Sequence, residues 1–170
     1  MTRVVLVPGV LALLPAYASL EDPVAELRAA CLDAVSWLGP DPVVLGDEQG
    51  ARVARSLLDT VVEVRGPLGP RLATTTEPSY LVVGNGSARR TEKAPGHLDD
   101  RAAPYDEELR AALTASSDAK WPDIELGKGL LASLDGIARL AELLPAGTPA
   151  QVDYDDDPFG VQYWVMRWQW

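Results

Sequence analysis

The chain has 170 residues, enough for one domain with a sizeable core, and its 47% hydrophobic and 24% charged residues are ordinary for a globular protein. With 25 acidic against 15 basic residues the formal charge is -10, which repels phosphate backbones; the one dense basic cluster, Arg89, Arg90 and Lys93, is too small to offset it, so a nucleic-acid partner is not expected. No apolar run is long and uninterrupted enough to span a bilayer, and the lone Cys31 excludes an intrachain disulfide and suits a reducing cytoplasm, the expected location.

The first element, "RVVLV" (Arg3–Val7), is a continuous β-branched run of the kind buried on both faces of a sheet. With the Ala16-Tyr17-Ala18 triplet it mimics a secretory leader, but Pro8-Gly9 interrupts the apolar stretch, and a strand is expected. "DPVAELRAACLDAVSWL" follows as a helix, with Asp22 as N-cap and Pro23 at the first helical position. Val24, Leu27, Cys31, Val35 and Leu38 make its apolar stripe, which leaves Cys31 a buried structural thiol, and Gly39-Pro40 ends it. Pro42–Gly46 is a second short strand, Gly50–Thr60 a helix, and Val61–Gly66 a further strand or edge. Gly66–Pro78 is a Pro/Gly loop, and "SYLVVG" (Ser79–Gly84) the next strand. Pro104–Ala115 is helical, as are Ile124–Ala132 and Leu134–Leu144. The tail reads as a β-hairpin with its turn in Asp156–Gly160 and a last strand over Val161–Trp170. Strands alternating with helices give an α/β fold: one layered domain over residues 1–170, with a largely parallel central sheet flanked by helices and closed by the C-terminal hairpin.

Ligands in such sheets bind beyond the carboxyl ends of the strands, here Pro8-Gly9, Gly46-Asp47 and Gly84–Arg90. The third is "GNGSARRTEKAPGHLD", a polar stretch directly after a buried strand. Gly84 and Gly86 permit close backbone approach, Asn85 and Ser87 offer polar groups, and Arg89 and Arg90 offer forked donors. Together these could cradle a small anionic ligand. The alternative is a loop whose arginines pair internally, Arg89 or Arg90 with Glu92 or Asp99. "DYDDD" (Asp153–Asp157) could hold a hard cation, but lacks the Gly and distal Glu of a calcium loop, and turns also favour such residues. Asp47, Glu48 and Asp155 are a further possible oxygen-only metal set. On the last strand Trp164, Met166, Trp168 and Trp170 share one face; helices could cover it, but its place in the final strand favours an interface, most simply of a homodimer, or another protein partner.

The blocks "GNGSARRTEKAPGHLDDRAAPYDEELRAAL" and "YDDDPFGVQYWV" together resemble the actinobacterial proteins related to the class III extradiol ring-cleavage dioxygenases, catalytic B-subunit type. The first strand with "LVPGVLALLP" and the helix "ELRAACLDAVSWL" match in style, and Gly50–Pro78 is unmatched. The resemblance implies the B-subunit fold. In that family two histidines and a carboxylate hold a non-haem Fe(II) with open positions for catechol and dioxygen, and a further histidine serves as acid/base. At the matching positions this chain has Pro8-Gly9-Val10-Leu11, Gly46-Asp47-Glu48 and Ser87-Ala88-Arg89; the carboxylate survives as Asp155 or Asp156. His97, the chain's one histidine, matches no ligand position. The expectation is therefore a degenerate member with neither Fe(II) nor another cofactor. It would bind a small ligand or a protein partner at a cleft formed by Gly9, Asp47, Asn85, Ser87, Arg89, Arg90, His97 and Asp155. The alternatives are altered chemistry on an anionic substrate in the same cleft, or a non-catalytic subunit of a larger complex.

Overall fold

The computed structural model describes residues 1–17, 20–65, 77–114 and 120–170. Ala18 of the leader-like triplet, the 66–76 part of the expected loop, and Ala115 lie outside the described residues. In chain order the elements are β1 (Arg3–Val7), α1 (Ala25–Trp37), β2 (Val43–Leu45), α2 (Glu48–Arg65), β3 (Ser79–Val83), α3 (Ala102–Leu113), α4 (Ile124–Gly129), α5 (Asp135–Leu143), β4 (Gln151–Asp156) and β5 (Tyr163–Gln169). Two 3-10 turns, Leu11–Leu13 and Pro15–Tyr17, lie between β1 and α1.

The five strands form one sheet in the order β2-β3-β1-β5-β4. β1 and β3 pair in parallel with Val5 opposite Leu81, and β2 pairs in parallel with β3. β5 runs antiparallel to both β1 and β4, so four strands point one way and only β5 opposes them. Because successive side chains face opposite sides of a sheet, β1 divides its residues between two cores. Val5 and Val7 join Leu81, Val83, Tyr163 and Val165 beneath α1 and α2. Val4 and Leu6 join Val82, Trp164, Met166 and Trp168 beneath α3 and α5.

Three local expectations change. Asp22 does not cap α1, which starts at Ala25; its carboxylate accepts from the Val24 amide at 3.1 Å and from Arg28 Nε at 2.7 Å. Residues Val61–Arg65 form no strand but extend α2. Val53, Ala54 and Leu57 start an apolar stripe that Leu58 and Val61 continue against α1, and this helix-on-helix packing outweighs the β-preference of the valines. The third change concerns the aromatic face of β5. Trp164, Met166 and Trp168 are fully enclosed, Trp168 Nε1 donates to the Leu113 carbonyl at 3.2 Å, and Trp170 packs partly buried against the same cluster. The segment between β3 and β4 folds its helices back over this face, so these side chains are core and offer no interface.

No described helix is long and apolar enough to cross a membrane.

Candidate functional site

The carboxyl ends of β1, β2, β3 and β4 all lie on one edge of the sheet, where a ligand would be expected. In this chain that edge is filled by backbone. The first turn of α2 presses on one side of Val83 and the first turn of α5 on the other, and both contacts run through glycine. A Cβ added to Gly50 would come within 2.9 Å of Val83 Cγ1, and one added to Gly136 within 2.3 Å of the Val83 carbonyl oxygen. Gly9 and Gly46 crowd the same residue, each 3.2 Å from a Val83 side-chain atom by the same measure. Gly9 is buried, and its carbonyl accepts from Gln49 Nε2 at 2.8 Å. Asp47 caps α2: its Oδ1 accepts from the Gly50 amide at 2.6 Å. Neither residue lines an open cleft.

The loop after β3 also turns its polar groups inward. Asn85 bridges to Ser133 through both backbone bonds, and its side-chain amide donates to the Gly86 carbonyl. Ser87 is fully buried; its amide and hydroxyl donate to the two carboxylate oxygens of Asp106 at 2.8 and 2.6 Å. Arg90 Nη1 reaches the same carboxylate at 3.1 Å while its Nε holds Asp157 at 2.6 Å. The arginine therefore pairs internally, but with Asp106 and Asp157 in place of Glu92 or Asp99; Asp99 binds Arg101 instead. Arg89 lies partly exposed at the rim, with one weak bond from Nη1 to the Gly129 carbonyl at 3.3 Å. His97 is exposed, its backbone at φ 57°, with Nδ1 3.3 Å from the Glu92 carbonyl. Of the candidate residues, only Ser87 and Arg90 are brought together, around a carboxylate that the sequence reading did not single out.

Asp106 stands fully buried on the apolar stripe of α3, between Ala102, Tyr105 and Leu109. Burial pushes its pKa above the ordinary carboxylate value, against the opposing pull of the Ser87 hydrogen bonds and the Arg90 guanidinium. A charged residue within an apolar helical stripe is the signal that would have found it.

The expected metal sets do not assemble. β2 and β4 are the two outer strands, four strand spacings apart, so Asp47 and Glu48 lie roughly 19 Å across the sheet from Asp155 at ~4.8 Å per spacing. The carboxylates of "DYDDD" are each engaged: Asp153 with Arg167 at 2.7 Å, Asp155 with Arg110 at 2.5 Å, Asp156 with the Asp157 amide at 2.8 Å, and Asp157 with Arg90. Among the described residues no three His, Cys, Asp or Glu side chains come together as an ion's ligands. The residues present do not fit the two-histidine, one-carboxylate iron set.

Among the described residues, two concavities bear on ligand binding. A recess of about 200 Å³ lies between the start of α1 and the end of β4, walled by Val24, Glu26, Leu27, Tyr154, Asp156 and Pro158. A more apolar groove of about 170 Å³ runs beside α5, with Trp121, Ile124, Leu134 and Ile137 in its lining. The first is on the carboxyl edge of the sheet. No family model, curated protein or solved structure matches this chain.

Proposed function

We propose that this chain is a catalytically silent binding protein on a class III extradiol dioxygenase B-subunit-like fold, taking a small ligand in the recess between α1 and β4. The observation that carries the reading is the closure of the sheet's carboxyl edge around Val83. At Gly9, where the resemblance would put an iron-ligating histidine, even a Cβ would press on Val83 at 3.2 Å. Of Ser87, Arg89, Arg90 and His97, the polar groups an altered chemistry would draw on, Ser87 and Arg90 are committed to Asp106 and Asp157, which supports binding over turnover. The surviving recess, at about 200 Å³, is smaller than the ~300–1,000 Å³ of drug-sized sites and suits a ligand of few atoms.

Two measurements test this. Elemental analysis of protein prepared without chelator or an affinity histidine tag, repeated after anaerobic Fe(II) addition, should find no stoichiometric iron, and catechol should not be cleaved. One iron retained per chain would overturn the silent reading. A fragment screen on isotope-labelled protein should move amide signals of Val24, Leu27 and Tyr154; shifts confined to the α5 groove would move the binding site there.

A further inference from the structure

The turn between β4 and β5 has an attachment unlike the rest of the sheet. From Asp157 to Gly160 it buries no large apolar side chain, Pro158 being exposed and Phe159 41% exposed; the apolar anchor is the next residue, Val161, buried in the core beneath α1 and α2. Its fastenings are polar. Gly160 accepts from the Arg90 amide at 3.1 Å; beyond the Val161 anchor, Gln162 exchanges backbone bonds with Gly86 at 2.9 Å and Ser87 at 3.0 Å. One side chain, Arg90, crosses all three layers of this contact, joining the post-β3 loop to α3 through Asp106 and to the turn through Asp157. Beneath it lie Ser87 and Asp106, both wholly shielded from solvent. A segment held by few buried apolar contacts and a handful of polar bonds opens at a lower free energy than the core does.

We propose that the β4–β5 turn is a lid and Arg90 its catch. When the Arg90–Asp157 pair breaks, the turn swings away as a unit about Val161, enlarging the recess. The turn also carries Pro158 into the recess wall, so the catch sets the access of a ligand to that recess. This last consequence rests on the recess being the binding site; the lid itself does not.

Asp157→Asn is the informative variant, because it releases the turn while leaving the buried Asp106 paired with Arg90. Native-state hydrogen exchange on the full chain should show the amide of Arg90, whose acceptor is the Gly160 carbonyl, exchanging about ten-fold faster, a ~1.4 kcal/mol change, kept modest because the Asp157 side chain is 35% exposed. Core amides such as Val5 and Leu81 should be unchanged. Equal acceleration everywhere would make the pair an ordinary structural staple, and no acceleration would make it idle; either overturns the lid. Arg101→Gln, which breaks only the exposed Asp99 pair, serves as the control and should leave the Arg90 amide unaltered. A lid confirmed by exchange with no fragment bound in the recess would retire the functional reading and leave the lid standing.

Discussion

Gly136→Ala puts the closed carboxyl edge to a direct test. In most helices replacing glycine by alanine is favourable by up to about 1 kcal/mol, since alanine loses less backbone freedom on folding. Gly136 lies in the first turn of α5, so propensity alone favours the change. Packing opposes it. The new methyl would stand 2.3 Å from the Val83 carbonyl oxygen and 2.7 Å from that of Leu45. Both obstacles are backbone at the ends of paired strands and cannot swing aside as a side chain would. Overpacking typically costs about 1–3 kcal/mol, and a clash with backbone belongs at the upper end, leaving a net loss of about 2 kcal/mol. For a chain of this size that corresponds to a fall in Tm of roughly 4–8 °C. Gly129→Ala is the matched control: nothing lies within 4 Å of its Cβ position, so it should be neutral or mildly stabilising. Urea unfolding of both variants, at unchanged m-value, provides the comparison. If Gly136→Ala is as stable as the parent, α5 does not press on Val83 as described, and the argument for a closed edge fails with it.

Asp106→Asn should change the pH profile. Burial raises the folded-state pKa of Asp106 above its unfolded value of 3.8, so the stability it contributes is fully present below that value and lost as pH rises through the folded pKa. The parent should therefore gain on the variant as pH falls from 7 toward 4, and parallel profiles would refute the buried, ionisable carboxylate. Arg28→Lys should cost about 1–2 kcal/mol, because one guanidinium spans the carbonyls of Ala12 and Leu13 and the carboxylate of Asp22, at 2.8, 2.7 and 2.7 Å, and an ammonium cannot reproduce that fork. Chymotrypsin should then cut faster after the exposed Tyr17 and Leu20. Cys31 is enclosed, and burial pushes its thiol pKa well up; an aromatic disulfide reagent should label it only as fast as the chain unfolds, and prompt labelling of native protein would contradict its place in the core.

The parts of this fold legible in the sequence are those fixed by local pattern. Arg3–Val7 and the strand beginning at Ser79 are apolar on both faces because both lie inside the sheet, and the sequence carries that as an uninterrupted run. The hairpin could be read from its turn residues, with Gly160 at φ 71° where a side chain would be strained. Val61–Arg65 was misread because β-branched residues favour strands by local preference, while the decision belonged to α1, which lies against the early part of that stripe. The tryptophan face was ambiguous for a related reason. Alternation shows that side chains share a face but not what lies over it, and its cover comes from helices as far back in the chain as Ala102.

The site was less legible, and the reason is again range. Glycines after buried strands suggest room for a ligand, because glycine lets backbone approach closely. Here what approaches is the chain's own α2 and α5, and the glycines seal the edge they were expected to open. The same holds for Arg90. Its partners stand 16 and 67 residues away, beyond any local pairing rule, which offers only the nearby Glu92 and Asp99. Asp99 itself is held by Arg101, whose hydrogen bonds keep its carboxyl below the usual range. A polar loop at the end of a buried strand can thus serve as a fastening as readily as a cradle. What separates the two is whether its donors still face outward once distant carboxylates have come to rest. Here the buried Ser87 and the paired Arg90 do not, and only the loop's exposed outer side chains, such as Lys93 and His97, still face solvent.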